Sequence, residues 1–347
     1  MGKIGVVTLF HVRNIGAVLQ AYATNKILTE AGYEVEYIRC YGIRDSLSFF
    51  LGDIGGIRLY NLKFVLNKIF KFEKAFKLFT EVKLNQINTT KYEAIIFGSD
   101  SIWIPRNQKE SMPPAFFGMI RNDNKLAYAA SSGGYDDLNK FTSEQKKAIV
   151  TIDHISVRDV VTKKLVNKLT KKPVNIVLDP TLLINWNTYL QENTCMEKIE
   201  KEDYIMLYGG FKDKDIKKLK EYARKKNKKL IAVGSYIKGA DKSIAVSPIE
   251  FLNYVKYADE IYTSMFHGVM ISISFNKQFS YFSADPNRDK KLETVLYNLG
   301  LQYLLINSGK IFLEEIDYSV VNKRLEEQRI ESLDFLLNSI KNNIVEE

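Results

Sequence analysis

Short unbroken apolar runs recur along this chain, each ending in a polar loop and each followed by residues with apolar spacing of helical period. Lys3 to Leu9 is the first run, His11 to Gly16 its exit, and Ala17 to Ala31 its helix; Gly32-Tyr33 then turns the chain into a second run, Glu34 to Arg39. A strand apolar on both faces must be covered on both faces, and parallel strands are joined by crossover helices. The pattern therefore commits the chain to doubly wound α/β sheets. Ala94 to Phe97, Lys125 to Ala129, Ile155 to Val157 and Val174 to Leu178 continue the series. Asn185 to Asp203 is polar and weakly periodic and reads as a linker. Tyr204 to Tyr208, Lys229 to Gly234, Asp259 to Tyr262 and Phe279 to Phe282 form a second series. The expectation is two Rossmann-like domains in tandem with a cleft between them. The first covers residues 1–184, with a basic amphipathic insertion at 44–90. The second covers 204–324, and a helix at 325–347 folds back on the first domain.

A length of 347 residues suits about two domains. Cys40 and Cys195 are the only cysteines and have no C-x-x-C spacing, which argues against a disulfide framework or a structural zinc. No His/Asp cluster has ligand spacing, so neither metal nor cofactor is expected. Met1-Gly-Lys-Ile-Gly-Val-Val enters a strand directly, without the three regions of a signal peptide, and no apolar stretch has the length of a membrane span. These features lead to a cytoplasmic protein, soluble or peripheral at the inner face of the cell membrane. The net charge of +9 fits nucleic acid, an anionic surface or anionic substrates. No nucleic-acid-binding module is recognisable. Much of the excess lies between Arg58 and Lys83, where lysines alternate with Leu62, Phe64, Val65, Ile69, Phe70, Phe72, Phe76 and Phe79. That segment is either a helix packed on the core with solvated lysines or an interfacial element on an anionic membrane.

In open α/β sheets, ligands bind beyond the carboxyl ends of strands, where helix N-termini offer free N–H groups. Polar residues collect at these exits: Asn14 and Gly16, Ser99 and Asp100, Ser131 and Ser132, Arg158, Asp179, and His267. Each has a structural explanation as a helix cap, turn residue or ion-pair member. Their common edge makes a shared cleft the economical reading. His267, one of three histidines, sits in a loop expected between a strand ending at Tyr262 and a helix over Val269 to Phe275. Histidine is the side chain most readily tuned to exchange a proton near neutral pH.

The ordered set N-I-G-A-V-L-Q-A-Y-A (14–23), F-G-S-D-S-I-W (97–103), Y-A-A-S-S-G (128–133), I-S-V-R-D (155–159), L-D-P-T-L-L (178–183) and S-M-F-H-G (264–268) resembles the polysaccharide pyruvyl transferase family. The late N-R-D…L-G-L pattern (287–301) fits as well, so the resemblance spans residues 3 to 301. It implies a GT-B-like architecture. It also implies transfer of pyruvate from phosphoenolpyruvate to a sugar of a surface-polysaccharide precursor, giving a pyruvate ketal on two hydroxyls. His267 then matches the family's acid, and Arg158 the arginine that holds the donor's carboxylate or phosphate. Characterised members carry an arginine two positions before the histidine, where this chain has Met265. One anion ligand is therefore either missing or supplied from elsewhere, by Arg288, Arg13 or Lys277.

The chemistry this reaction needs makes Asp100 the candidate base or acceptor of the sugar hydroxyl, and the Ser264 and Gly268 backbone a phosphate cradle. Asn14, Gly16, Ser131 and Ser132 become acceptor contacts. The acceptor is expected to be a polyprenyl-diphosphate-linked glycan, which would give the basic segment a membrane surface to meet. The rival expectation is a nucleotide-sugar-dependent GT-B glycosyltransferase using the same histidine and arginine against a diphosphate.

Overall fold

The computed structural model describes residues 2–40, 61–105, 112–192, 203–311 and 315–341. Its first half runs β1 (Lys3–Val7), α1 (Ile15–Glu30), β2 (Glu34–Arg39), α2 (Leu62–Phe76), β3 (Glu81–Lys83), β4 (Ala94–Phe97), β5 (Lys125–Ala130), α3 (Ser143–Val150), β6 (His154–Val157), α4 (Val160–Asn167) and β7 (Val174–Ile176). The seven strands form one sheet in the order β3-β2-β1-β4-β5-β6-β7, every pair parallel. After α5 (Trp186–Glu192), the second half runs β8 (Tyr204–Tyr208), α6 (Asp213–Lys225), β9 (Lys229–Val233), β10 (Lys242–Ile244), α7 (Pro248–Tyr257), β11 (Glu260–Thr263), α8 (Phe266–Ser274), β12 (Phe279–Tyr281), α9 (Pro286–Leu299), α10 (Tyr303–Ile306) and α11 (Tyr318–Lys341). Its five strands form a second parallel sheet, β10-β9-β8-β11-β12.

Each sheet has one point where the winding reverses, between β1 and β4 in the first and between β8 and β11 in the second. Connections leave to opposite faces there and open a crevice at the carboxyl ends of the strands. In the first sheet that crevice receives Thr8 and Ser99-Asp100; in the second it receives Gly209-Gly210 and Ser264-Met265. One apolar cluster links the halves, running from Val6 and Val18 through Leu182 and Trp186 to Phe251 and Met270. The final helix α11 lies against the first sheet. Ser332 Oγ accepts from Leu178 N at 3.0 Å, Arg329 Nε donates to Leu182 O at 2.6 Å, and Asn124 Nδ2 donates to Ile340 O at 3.2 Å.

Four local expectations change. The segment read as a linker begins with α5, whose Trp186 is fully buried and donates its indole N–H to Thr181 O at 2.8 Å; residues 193–202, with Cys195, lie outside the described residues. The short strands β3 and β10 add edges to the sheets, and Glu81 and Lys83 flanking one inward-leaning valine gave no apolar run to recognise. In the basic segment, residues 41–60 lie outside the described residues, while α2 buries Phe72, Ala75 and Phe76. Helix α8 begins at Phe266, which places His267 in its first turn rather than in the loop. Gly268 does not break that helix. A Cβ there would lie 2.1 Å from Thr263 Oγ1, so glycine lets the helix close on the strand that feeds it. No helix among the described residues is long and apolar enough to cross a membrane.

Candidate active site

Arg158 leaves β6 and immediately precedes Asp159, the N-cap of α4. It is 4 % exposed. A buried guanidinium needs counter-charges, and it has two. Nη1 donates to Asp179 Oδ2 at 2.6 Å, and Nη2 donates to Asp100 Oδ1 at 3.1 Å and to Ser101 Oγ at 3.3 Å. Its flat face lies on the Phe266 ring, with Cζ 4.3 Å from the centroid. Burial opposes the charge, but Asp179, Asp100 and Asp159 more than offset it and raise the pKa of Arg158 further.

Asp179 is held by its sequence neighbours. It caps the turn Pro180–Leu182, with Oδ1 accepting from Thr181 N at 3.1 Å and from Thr181 Oγ1 at 2.7 Å. That leaves Oδ2 for Arg158 and for His267, whose Nε2 stands 3.5 Å away. Burial alone would raise the Asp179 pKa, yet His267 and Arg158 hold it well below the usual carboxylate range. His267 thus crosses from the second domain to an ionised carboxylate of the first. Its buried Nε2 makes no well-oriented hydrogen bond within the protein. At 3.5 Å the contact with Asp179 is an ion-pair approach rather than a hydrogen bond.

Gly16 makes this crossing possible. It lies in the first turn of α1, and a Cβ built on it would stand 2.0 Å from His267 Nδ1. Alanine would favour an isolated helix by about 1 kcal/mol, but here the imidazole or the helix must move. Gly16→Ala is therefore expected to lower turnover on the order of 100-fold, the cost of misplacing a reacting group by about 1 Å. Steady-state kinetics together with a melting curve check this: a slow but well-folded variant is expected, and unchanged turnover would show that the imidazole position does not matter.

Asp100 adopts φ +82, a conformation strained for a side-chain-bearing residue, and its Oδ1 accepts from its own next amide, Ser101 N, at 2.7 Å. Burial raises its pKa, while Arg158 and His267 lower it by more, so the carboxylate stays ionised. Gly98, two residues earlier, has φ +123 and no room for a Cβ, which would lie 2.2 Å from Tyr128 O. Ser99 Oγ donates to Gln20 Oε1 at 3.1 Å, and Gln20 Nε2 donates to Thr8 Oγ1 at 2.9 Å, tying α1 to the ends of β1 and β4.

The cluster therefore unites five of the residues placed at strand exits from sequence: Gly16, Asp100, Arg158, Asp179 and His267. Ser264 and Gly268 lie at the same helix start, where Ser264 Oγ accepts from Gly210 N at 2.9 Å. Asn14 is exposed and caps α1 by accepting from Ala17 N at 3.2 Å. Ser131 and Ser132 are fully buried. Ser131 Oγ donates to Asp159 Oδ2 at 2.7 Å and Ser132 Oγ to Tyr135 O at 2.7 Å, so both hydroxyls serve the loop rather than the cleft. Arg288 falls in α9, but its side chain lies outside the described residues. Arg13 pairs with Glu73 at 2.6 Å, and Lys277 donates to Ala258 O at 2.8 Å beyond the far end of α8.

A cation the sequence reading passed over is Lys291. Reaching from α9, its Nζ donates to Ser101 Oγ at 3.3 Å, and its charge helps to keep Asp100 ionised. Ser101 thus stands between Arg158 of one domain and Lys291 of the other. The available signal was the basic run Arg288-Asp289-Lys290-Lys291 opening a helix beside the expected cleft.

A sequence model of the family described as polysaccharide pyruvyl transferase matches residues 14–286. The chain belongs to the polysaccharide pyruvyl transferase family. The match contains Gly16, Asp100, Arg158, Asp179 and His267, so the whole ion cluster falls inside the family region, with Lys291 just beyond its end. Among solved structures, Arabidopsis thaliana UGT89C1 complexed with UDP-L-rhamnose is similar at TM-score 0.51 and 9% identity, covering 97% of this chain and 98% of that one. S. aureus MnaA with UDP is similar at TM-score 0.51 and 12% identity, covering 99% and 97%. At such identities the likeness shows the fold, and the fold is GT-B: two Rossmann-like domains facing one another. Comparison with curated proteins finds no match.

Proposed function

We propose that this family member transfers pyruvate from phosphoenolpyruvate to a sugar of a surface-polysaccharide precursor, releasing phosphate and leaving a pyruvate ketal. The observation that carries the reading is the convergence of His267 from one domain on the Arg158–Asp179 pair of the other. Phosphoenolpyruvate is an enol ester of phosphate. Protonating its methylene carbon leaves an oxocarbenium-like centre that a sugar hydroxyl attacks. Loss of phosphate lets a second hydroxyl close the ring, so one donor and one diol become one ketal and one phosphate. The step needs an acid, cations for two anionic groups, and an acceptor for the hydroxyl protons. His267 is the acid, and Asp179 steadies the imidazolium. Arg158 and Lys291 approach Ser101 from opposite domains and hold the carboxylate and phosphate, a planar fork and a point charge respectively. Ser264, Gly268 and the start of α8 face the phosphate. Asp100, kept ionised by Arg158, accepts a hydrogen bond from the attacking sugar hydroxyl; of the two hydroxyl protons, one returns to the imidazole that protonated the donor and the other leaves on the phosphate. Asn14 borders the acceptor side of the cleft. The acceptor is a polyprenyl-diphosphate-linked glycan at the inner face of the cell membrane.

Phosphate release from phosphoenolpyruvate tests this, measured with and without lipid-linked glycan intermediates. Glycan-dependent release with a mass gain of one pyruvate ketal supports it. A second reading follows from Met265, at the N-cap position of α8 with no capping hydrogen bond from its side chain, where characterised relatives carry an arginine. Turnover of a UDP- or GDP-sugar without use of phosphoenolpyruvate would select a glycosyltransferase instead. Within the first reading, Lys291→Ala is expected to raise the KM for phosphoenolpyruvate about 10- to 100-fold, the worth of one charge-assisted hydrogen bond. Its kcat should change much less, and an unaltered KM would remove Lys291 from the donor site.

A further inference from the structure

The two faces of α2 are unequally employed. Phe72, Ala75 and Phe76 are buried, and Lys71 pairs with Glu250 of α7 at 2.7 Å. Leu62, Leu66 and Phe70 are 38 %, 54 % and 61 % exposed. They recur every four residues and so form one stripe along the helix. Exposed lysines Lys63, Lys74 and Lys77 accompany it, and Lys74 Nζ lies 4.6 Å from the Phe70 ring centroid. Glu73, the acid of this helix turn, is paired with Arg13 at 2.6 Å. An outward apolar stripe beside lysines that pair with no acid among the described residues complements one kind of surface: an apolar layer topped by negative charge.

We propose that α2 docks this protein on an anionic lipid bilayer, with Leu62, Leu66 and Phe70 in the headgroup region and Lys63, Lys74 and Lys77 on the phosphates. The helix is fixed to both domains. Phe76 stacks on His11 of the β1–α1 loop at 4.2 Å between centroids, and Phe64 meets Tyr236 of the second domain edge-on at 5.8 Å. The loop that carries His11 runs directly into Asn14 and Gly16, so docking brings the bilayer to the rim of the cleft. The docking stands apart from the chemistry; its use, delivering a lipid-linked acceptor, rests on the function proposed above.

The test is flotation with phosphatidylcholine–phosphatidylglycerol vesicles against phosphatidylcholine alone, without substrate. The wild type is expected to float with the anionic vesicles at low salt. Lys63→Gln/Lys74→Gln/Lys77→Gln should weaken partitioning on the order of 100-fold, since each lysine near such a surface contributes about one kcal/mol. Leu66→Glu/Phe70→Glu should abolish flotation at any salt, with an unchanged melting temperature because neither side chain is buried. No flotation of the wild type, or flotation of the Leu66→Glu/Phe70→Glu variant equal to it, overturns the proposal. So does a wild-type dimer that this variant dissolves, which would make the stripe a contact between copies. Since no donor or acceptor is present, either result leaves the phosphate-release experiment to be judged separately.

Discussion

His267→Ala is expected to reduce glycan-dependent phosphate release from phosphoenolpyruvate by about 10²–10⁴-fold, the range for loss of a positioned general acid. The protein should remain folded. The imidazole makes no well-oriented hydrogen bond through Nε2, and truncating it removes a partner that Asp179 can spare, because Arg158 still donates to the same oxygen at 2.6 Å. The expected signature is thus a fall in kcat with a modest change in the KM for phosphoenolpyruvate, whose anionic groups rest on Arg158 and Lys291. Retention of wild-type turnover would remove His267 as the acid. A rise in KM alone would recast it as a donor contact. His267→Gln sharpens the result, since it refills most of the volume against Gly16 without supplying an acidic proton; it should be nearly as slow as alanine.

That histidine also marks how far the sequence could be read. The strand exits were legible because a buried parallel strand is an apolar run and its exit is a change to polar residues, so Asp100, Arg158, Asp179 and His267 could all be placed on one edge. Which of them touch was not legible. The Arg158–Asp179–His267 contacts join separate strand exits and both domains, and no local spacing encodes them. Ser131 and Ser132 looked like cleft residues by the same rule, yet their hydroxyls are spent on Asp159 and Tyr135. Position at an exit does not say which way a small side chain turns. Lys291 was overlooked for the opposite reason, since a lysine in a basic helical turn is ordinarily a solvated one. Trp186 was hidden by its polar surroundings, although its buried indole, with Tyr189 and Leu190, anchors α5.

Arg158→Met is expected to be the most destabilising single change at the site, by about 3–5 kcal/mol, because it leaves Asp100 as a buried charge without its main cation and Asp179 without one of its two. For a chain of this size that is a fall of about 4–7 °C in melting temperature. The pH dependence identifies the cause. In the wild type both carboxylates have folded pKa values below 3.8, so their contribution to stability is present above that value and is lost as pH falls through the folded pKa. In the variant, burial is no longer opposed by the guanidinium and both folded pKa values rise. Protonation then favours the folded state at low pH, and that benefit is lost as pH increases. The difference in stability between the two proteins should accordingly be widest near neutrality and shrink as pH drops towards about 4. A difference that stays constant with pH would place the loss in the packing against Phe266 instead. Arg158→Lys separates stability from chemistry. It restores a cation to the carboxylates and should recover part of the melting temperature, but one ammonium cannot reach Asp179, Asp100 and Ser101 together as the planar fork does. Its turnover should therefore stay close to that of Arg158→Met.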